Sequence, residues 1–337
     1  MATVDVTVRG AGIFGLSVAR ACVARGARVQ VIDPGGVAAG ASGGIVGALA
    51  PHTPENWNDK KAFQFDSLIM AEGFWRGVEA ASDLPSGYGR TGRLQPVEDD
   101  RALALARARA VAAGALWQGK ADWSVIEAKG DWAPESPTGW LIHDTLSARV
   151  NPLQGCRALA AALERAGCPV LRDGDDGGAV VWATGVAGLA ALGQDAGNGV
   201  KGQAALLRFD ARAAPQLFAD GLHIVPHGDG TVAIGSTSER VFDDPTSTDA
   251  SLDDVLERAL AAFPVLRGAP VIQRWAGVRP RAASRAPVLG AWPGRSGHFV
   301  ANGGFKIGFG MAPKVGEVMA DLVLDGRDKV PEGFHPL

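Results

Sequence analysis

The sequence has few cysteines, one tyrosine and almost no charge imbalance, and these scarcities exclude several classes of protein. Its 337 residues include three cysteines, Cys22, Cys156 and Cys168, which are far apart and form no C-x-x-C motif. A disulfide framework is therefore not expected, and a reducing cytoplasm is the predicted setting. Lys and Arg total 33 against 36 Asp and Glu, so the net charge of −3 does not favour a nucleic-acid surface.

Other signals of location and metal binding are also missing. The sequence has no apolar run of about 18 residues, so no transmembrane segment is predicted. It also has no leader in which a basic segment precedes an apolar one, so no secretory signal is predicted. His223 and His227 are four residues apart, but Pro226 lies between them in a predicted hairpin. A helical metal site is therefore excluded there, and no metal is predicted. Hydrophobic residues make up 47% of the chain, which predicts an ordinary globular core.

The first motif in the chain is VRGAGIFG, in which Gly10, Gly12 and Gly15 fit the G-x-G-x-x-G pattern. VDVTV before it predicts a strand, the residues after it predict a helix, and ARVQVID predicts a second strand ending at Asp33. This βαβ order predicts a parallel sheet, with a pyrophosphate at the helix N-terminus near Ile13. Asp33 lies where an acidic residue binds a ribose, so we predict a dinucleotide with a free 2′-hydroxyl.

Two features near this motif have more than one interpretation. Arg9 stands at a strand end where apolar residues are usual. Its side chain either extends to solvent or contacts a cofactor phosphate or a neighbouring carboxylate. GASGG, residues 40–44, formally fits the G-x-S-x-G nucleophile elbow, but that motif needs a strand leading directly into the serine. A glycine-rich loop lies on both sides here, which argues against a hydrolase.

The rest of the chain mixes helical and strand patterns. A helix is predicted over 63–81 with Phe74 among its inward residues, and another over 153–167 with Asn151 as its cap. AVVWATG, residues 179–185, predicts a buried strand, and GLHIVPHGDGTVAIGSTSE predicts a hairpin. A glycine-rich loop then enters a last helix. This order predicts a nucleotide domain built from separated segments, with an antiparallel domain between them.

Several segments together resemble one family. In chain order they are GASGGIVGALAPH, VVWATG, VKGQ, HIVPHGDGTVAIGSTSE, WAGVRPRAASRAPVLG and HFVANGGFKIGFGMAP. They resemble the FAD-dependent D-amino acid oxidase family, nearest to its glycine oxidase branch. The resemblance implies an α/β fold in which residues 1–80, 148–200 and 285–337 form a discontinuous, Rossmann-like FAD-binding domain. Residues 81–147 and 201–284 would form an inserted antiparallel-sheet substrate domain.

The resemblance also implies which residues contact FAD. The predicted contacts before the hairpin are Gly10, Gly12, Ile13, Phe14, Gly15, Asp33, Pro34, Ala41, Ser42, Val46, Gly47, Ala48 and Gly185. The predicted contacts around the flavin are Gly303, Gly304, Phe305, Lys306, Ile307 and Gly308. Helix N–H groups after this second set would stabilise negative charge on the reduced flavin. No cysteine lies in the C-terminal motifs, so the FAD is predicted to be non-covalent.

Three residues are predicted to serve catalysis. Arg279 matches the family arginine that pairs with the substrate carboxylate. A guanidinium suits this role because it is planar, can bond both carboxylate oxygens and stays charged. Lys306, at a position often filled by Arg, either adds positive charge near flavin or substrate or is simply solvated. His52 ends the second flavin loop and either faces the pocket or is a plain loop histidine. The implied reaction moves a hydride from the α-carbon of a neutral amine to flavin N5 and leaves an imine that water hydrolyses.

The sequence departs from the family pattern at several positions. Ser284 stands where the family often has Asp, Gly304 replaces a frequent His, and the single tyrosine, Tyr88, excludes a pocket lined by several tyrosines. These departures concern the substrate more than the cofactor. The predicted function is oxidation of glycine, sarcosine or a small D-amino acid, with oxygen or another electron acceptor. The alternatives are an oxidase-like enzyme that modifies tRNA wobble uridine and a non-catalytic flavin-binding subunit. The oligomeric state stays open.

Overall fold

The computed structural model describes residues 4–336, in which most strands belong to two large sheets. The helices are α1 (Ile13–Ala24), α2 (Asp59–Ser82), α3 (Asp100–Leu116), α4 (Pro152–Arg165), α5 (Gly185–Leu192), α6 (Ala250–Ala262) and α7 (Gly308–Asp325). The strands are β1 (Val6–Arg9), β2 (Val29–Ile32), β3 (Ala48–Leu49), β4 (Arg93–Pro96), β5 (Trp123–Glu127), β6 (Trp140–Asp144), β7 (Ala148–Arg149), β8 (Val170–Leu171), β9 (Ala179–Trp182), β10 (Gly197–Arg208), β11 (Gln216–Ala219), β12 (Leu222–Pro226), β13 (Thr231–Gly235), β14 (Val271–Ala282), β15 (Val288–Ala291) and β16 (His298–Asn302). Among the described residues, no helix is long and apolar enough to cross a membrane.

The first sheet contains the predicted βαβ unit. Its strand order is β15-β16-β9-β1-β2-β8, and only β15 runs antiparallel to its neighbour. Val6 and Val8 are fully buried because β1 lies in the middle of this sheet. The buried core that includes them also takes side chains from α1, α2, α4 and α7, as expected of a parallel sheet whose faces are covered by helices.

The second sheet has the order β14-β10-β13-β12-β11-β4-β6-β5, and its strands come from two separated parts of the chain. All neighbours in it are antiparallel except β4 and β11. Apolar residues of α6, including Leu252 and Val255, pack against its strands. The two sheets confirm the predicted fold class. The division into domains stays a prediction, and β10 begins at Gly197, before the boundary proposed at residue 200.

Local signals in the sequence account for two helix boundaries. The Asn151 side chain accepts a hydrogen bond from the Gln154 N–H at 3.2 Å, with Pro152 in the first turn, so the predicted cap of α4 is confirmed. Helix α2 begins at Asp59, four residues before the predicted start. Phe74, predicted to face inward, is half-buried beneath the Arg20 guanidinium, 5.0 Å from the ring centroid, whereas its neighbour Trp75 is fully buried.

Candidate active site

A cavity of about 1140 Å³ lies where both large sheets contribute wall residues. It exceeds the roughly 300–1,000 Å³ of pockets that hold drug-sized ligands, so it has room for a dinucleotide. Arg9, Ile32 and Trp182, the last residues of three neighbouring parallel strands, line it at one end. Ligands of open α/β sheets bind at this carboxyl edge. We call this space the main cavity.

The first glycine motif forms one wall of the main cavity. Gly10 has φ +111°, and a Cβ there would lie 2.4 Å from the Ala183 carbonyl oxygen, so only glycine fits this turn. The N-terminus of α1 follows, and its Ile13 N–H donates to Ser42 Oγ at 3.0 Å. The Ser42 hydroxyl still has its own proton to donate. Together with the unpaired first-turn N–H groups of α1, this arrangement fits a pyrophosphate.

Asp33 is held rigidly at the edge of the same wall. Its Oδ2 accepts a hydrogen bond from the Ala11 N–H at 2.8 Å, and its Oδ1 accepts one from the Gly35 N–H at 2.9 Å. A carboxylate has about four lone-pair sites, so both oxygens keep capacity for further donors. The carboxylate therefore has a fixed orientation and can accept hydrogen bonds from a ribose.

Arg9 has a protein partner. Its Nε donates to Asp176 Oδ1 at 2.7 Å, and its Nη2 donates to the Gly174 carbonyl oxygen at 2.8 Å. Both side chains are partly exposed, at 22% and 35%. Of the interpretations left open by the sequence, the structure favours contact with a neighbouring carboxylate.

Most predicted cofactor residues line the main cavity: Gly10, Gly12, Ile13, Phe14, Asp33, Pro34, Ala41, Ser42, Val46, Gly47, Ala48, Gly185, Gly304, Phe305, Lys306 and Gly308. Gly15, Gly303 and Ile307 are not among its wall residues. A Cβ on Gly15 would lie 1.9 Å from the Gly10 carbonyl oxygen, which fits the helix–strand packing expected of the third glycine. Ile307 instead lines a smaller neighbouring cavity. The contacts of all these residues with FAD stay predictions.

The loop between β16 and α7 forms another part of the main cavity wall. Phe305 and Lys306 of this loop line the cavity, and α7 begins directly after it at Gly308. The first-turn N–H groups of α7 lack intrahelical acceptors, so the positive end of its dipole lies at the cavity wall. The Phe305 N–H donates to the Pro280 carbonyl oxygen at 3.1 Å. This bond ties the loop to β14, the strand that carries Arg279.

Arg279 lines the main cavity beside this loop. Its Nη1 donates to Ser236 Oγ and its Nη2 to the Thr237 carbonyl oxygen, both at 2.7 Å, while its buried Nε has no partner. Burial lowers the pKa of Arg279 to about 10, so the side chain is charged at neutral pH. No carboxylate oxygen in residues 4–336 lies within 4.0 Å of its guanidinium; the nearby Glu239 pairs with Lys201 instead.

The structure brings Arg279 and Lys306 together on the main cavity, and it places His52 on the smaller cavity, whose wall also includes Lys306. Arg279 Cζ lies 5.4 Å, and Lys306 Nζ 5.8 Å, from the centroid of the Phe305 ring. Burial, and then the charge of Arg279, lower the pKa of Lys306. His52 lines the smaller cavity, and its Nδ1 contacts Gln64 Oε1. Burial also lowers the pKa of His52, which keeps the imidazole neutral.

The residues that hold Arg279 in place were not predicted from the sequence. Ser236 and Thr237 lie at the end of the segment predicted as a hairpin, and they come close to Arg279 because β10 pairs with both β13 and β14. Gly202 lies opposite Gly277 across β10 and β14. A Cβ on Gly202 would lie 2.3 Å from Arg279 Nη2, so this glycine provides the space for the guanidinium. The glycine in VKGQ was a signal of such a space.

The glycine turn, the two helix N-termini and the cavity of about 1140 Å³ fit a dinucleotide-binding protein. The chain belongs to the FAD dependent oxidoreductase family DAO, whose model matches residues 5–322. The resemblance stated from its motifs is therefore confirmed. It is 32% identical to glycine oxidase from Pseudomonas putida over 40% of this chain, a match that spans only 39% of that protein.

Two further comparisons extend along nearly the whole chain. Glycine oxidase from Bacillus licheniformis is 26% identical over 95% of this chain and 93% of its own length. The crystal structure of glycine oxidase from Geobacillus kaustophilus superposes with a TM-score of 0.84 at 21% identity, covering 99% of this chain and 98% of that one. The structural likeness shows that the fold is shared.

Proposed function

We propose that this protein oxidises the α-carbon of a small amino acid or secondary amine, with Arg279 binding the substrate carboxylate. Arg279 carries the proposal, because it is a cavity-lining guanidinium with no acidic partner in the described residues and with backbone and hydroxyl contacts that fix its orientation. A scaffold protein has no need of such a group. The glycine oxidases among the relatives support the substrate class.

The residues that line the main cavity fit FAD. The first turn of α1 and Ser42 would hold the pyrophosphate, and Asp33 would accept hydrogen bonds from the ribose. The loop before α7 would lie against the flavin ring, where the helix dipole stabilises negative charge. When bound, FAD supplies the two-electron oxidation of the amine carbon, accepting a hydride at N5.

The charges at the flavin end of the cavity also select the protonation state of the substrate. Arg279 and Lys306 lie on the same aromatic ring, and Asp33 is the only acidic side chain on the wall among the described residues. Two nearby positive charges disfavour a bound ammonium and lower its pKa. The amine is therefore bound in its neutral form, from which a hydride can leave, and no protein base is required. By holding the carboxylate, the Arg279 guanidinium fixes the position of the neighbouring α-carbon.

Anaerobic flavin reduction tests this function directly. Purified protein loaded with FAD is mixed with glycine, sarcosine, D-alanine or L-alanine, and loss of the oxidised-flavin absorption is followed. At least one amine is expected to reduce the flavin, whereas glycolate, which has the carboxylate but no amine, is expected to bind without reduction. Reduction by none of these amines, nor by iminodiacetate, D-aspartate or D-glutamate, would contradict the proposal and favour a non-catalytic flavin subunit. Peroxide formed during aerobic turnover would identify oxygen as the acceptor.

Replacement of Arg279 tests its role. Arg279→Met is expected to weaken substrate binding roughly 10- to 150-fold, because hydrogen bonds to charged groups contribute about 1.5–3 kcal/mol. Arg267→Met is the matched control, since Arg267 is exposed and lines neither cavity. Equal apparent affinity of Arg279→Met and the control would exclude a carboxylate-binding role.

A further inference from the structure

A second, smaller cavity lies directly beside the flavin end of the main cavity. Its volume is about 190 Å³, and it shares Ala48, Phe218, His223 and Lys306 with the wall of the main cavity. We call it the side chamber. A water molecule occupies roughly 30 Å³ in the liquid, so this volume accommodates a short side chain of a few heavy atoms. Its position makes it an extension of the space in which the substrate would be bound.

The side chamber has a positively charged wall. Arg93 and Lys306 are its only charged wall residues within the part of the chain that the structure describes. Arg93 is 94% buried, since its relative exposure is 6%. Only its Nε has a hydrogen bond, donated to Asp144 Oδ2 at 3.0 Å. The two Nη groups have no acceptor among residues 4–336, which leaves the outer edge of a buried guanidinium available to a ligand in the chamber.

Lys306 is likewise without a carboxylate partner in the described residues. Together with Arg279 and Arg281 it surrounds the Phe305 ring, with the three cationic groups 5.4 to 5.8 Å from its centroid. None of the three forms a salt bridge within residues 4–336. One substrate carboxylate at Arg279 would neutralise only one of these charges. Lys306 is exposed on the cavity wall, so its ammonium group stays available to a second anionic group.

The other polar residues of the side chamber are neutral. Burial and the charges of Arg93 and Lys306 lower the pKa of His223 to about 3, so its imidazole is uncharged at neutral pH. Gln64 and His52 add uncharged polar groups. The wall thus combines Lys306 and the Arg93 guanidinium, whose Nε is already paired with Asp144, with neutral hydrogen-bonding groups. Among the described residues, no acidic side chain lines it.

We propose that the substrate carries a second carboxylate, which enters the side chamber and pairs with Lys306 and the free edge of Arg93. The α-carboxylate would pair with Arg279, so the substrate class is a dicarboxylic amino acid or a secondary amine bearing two carboxylates. This inference rests on the proposed function, because it assigns a specificity pocket to the same site. Lys306 is then a substrate-binding residue that selects among amines.

Matched pairs of ligands test the proposal on the FAD-loaded protein. Succinate and propionate have the same carbon framework apart from the second carboxylate, and neither is an amine. Binding is followed through the perturbation of the flavin absorption spectrum. Succinate is expected to bind at least about tenfold more tightly than propionate, the effect of one hydrogen bond to a charged group. Equal affinities would overturn the proposal, and would do so even if no amine reduces the flavin.

Turnover provides the second readout. Iminodiacetate, D-aspartate and D-glutamate are compared with glycine, sarcosine and D-alanine, and at least one dicarboxylate is expected to exceed every monocarboxylate about tenfold or more in kcat/KM. Reduction by monocarboxylates alone would overturn this inference and leave the proposed function intact. If no amine of either class reduces the flavin, the proposed function itself fails.

Variants of Lys306 assign the preference to the side chamber. Lys306→Met is expected to remove most of the advantage of succinate over propionate and to raise KM for the dicarboxylic substrate, and Lys306→Arg is expected to restore both. Lys129→Met is the matched control, because Lys129 is a surface lysine that lines neither cavity. A loss that is equal for mono- and dicarboxylates would assign Lys306 to the flavin instead and refute its selective role.

Discussion

Gly202→Ala is expected to displace Arg279, the proposed substrate-binding arginine, without unfolding the protein. An ideal Cβ at this position would lie 2.3 Å from Arg279 Nη2 and 2.5 Å from its Cζ. Ordinary van der Waals contact begins near 3.4 Å, so the guanidinium must move by about 1.1 Å, the difference between 3.4 and 2.3 Å. The backbone of Gly202 is not in the left-handed region, so alanine introduces no strain there.

The size of the effect follows from what this movement breaks. A shift of this size disrupts the 2.7 Å hydrogen bonds from Arg279 to Ser236 and Thr237. It also moves the guanidinium out of the orientation that would bind a carboxylate. Misplacement of a binding group by about 1 Å can cost about 100-fold in rate. The atoms in conflict belong to a flexible side chain, so the cost to folding is small, and the lower entropy of the unfolded alanine chain offsets it by about 0.4–1 kcal/mol.

Acetate titration of the FAD-loaded protein measures this effect. The flavin spectrum reports binding, and Gly202→Ala is expected to weaken acetate binding by about 10- to 100-fold, with the midpoint of urea unfolding close to that of the wild type. Gly114→Ala is the matched control, because Gly114 lies on α3 with nothing beyond its own helix within 4 Å of an ideal Cβ. Wild-type acetate affinity in a Gly202→Ala protein that retains FAD would refute the reasoning.

Three charge replacements test other parts of the fold. Asp144→Asn is expected to lower the free energy of unfolding by about 3–5 kcal/mol in urea titrations, because Arg93 would keep a buried, unpaired charge. Asp176→Asn is expected to cost less than about 1 kcal/mol and to leave FAD retention unchanged, since its pair with Arg9 is partly exposed. Lys329 and Arg25 hold the pKa of Asp321 at about 2, below its ordinary 3.8. The stability it contributes is therefore present above pH about 4 and lost toward pH 2, and Asp321→Asn should flatten the fall of Tm over that range.

The parts of the molecule built from neighbouring residues were predictable from the sequence. The glycine turn, α1 and Asp33 lie within about 30 residues, and their geometry follows from backbone sterics and hydrogen bonding that the sequence itself encodes. The final loop and α7 were predictable for the same reason. The cap at Asn151 needs only its own side chain and the N–H three residues later. In each case the partner is close in sequence.

Contacts between residues that are far apart in the sequence were not predictable in this way. Arg9 shows the difficulty, because it is unusual at a strand end, and its partner Asp176 lies 167 residues further along the chain. The side chamber is assembled from five separate parts of the chain, including the loop after β3, β4 and the loop before α7. No local pattern indicates that these parts meet, so the chamber has no signal of its own in the sequence.

Arg93 and Arg279 show why this difference matters for function. Arg93 and Arg279 both lie within strands of the second sheet, and nothing in their immediate sequence separates a structural arginine from a binding one. The strand register does, because Arg93 lies opposite Asp144 in β6, whereas Arg279 lies opposite Val200 in β10. The fold thus partly neutralises the Arg93 guanidinium, whereas Arg279 has no acidic partner among the described residues and is the proposed partner of the α-carboxylate. The pairing of the strands therefore determines where the carboxylates of a substrate can bind.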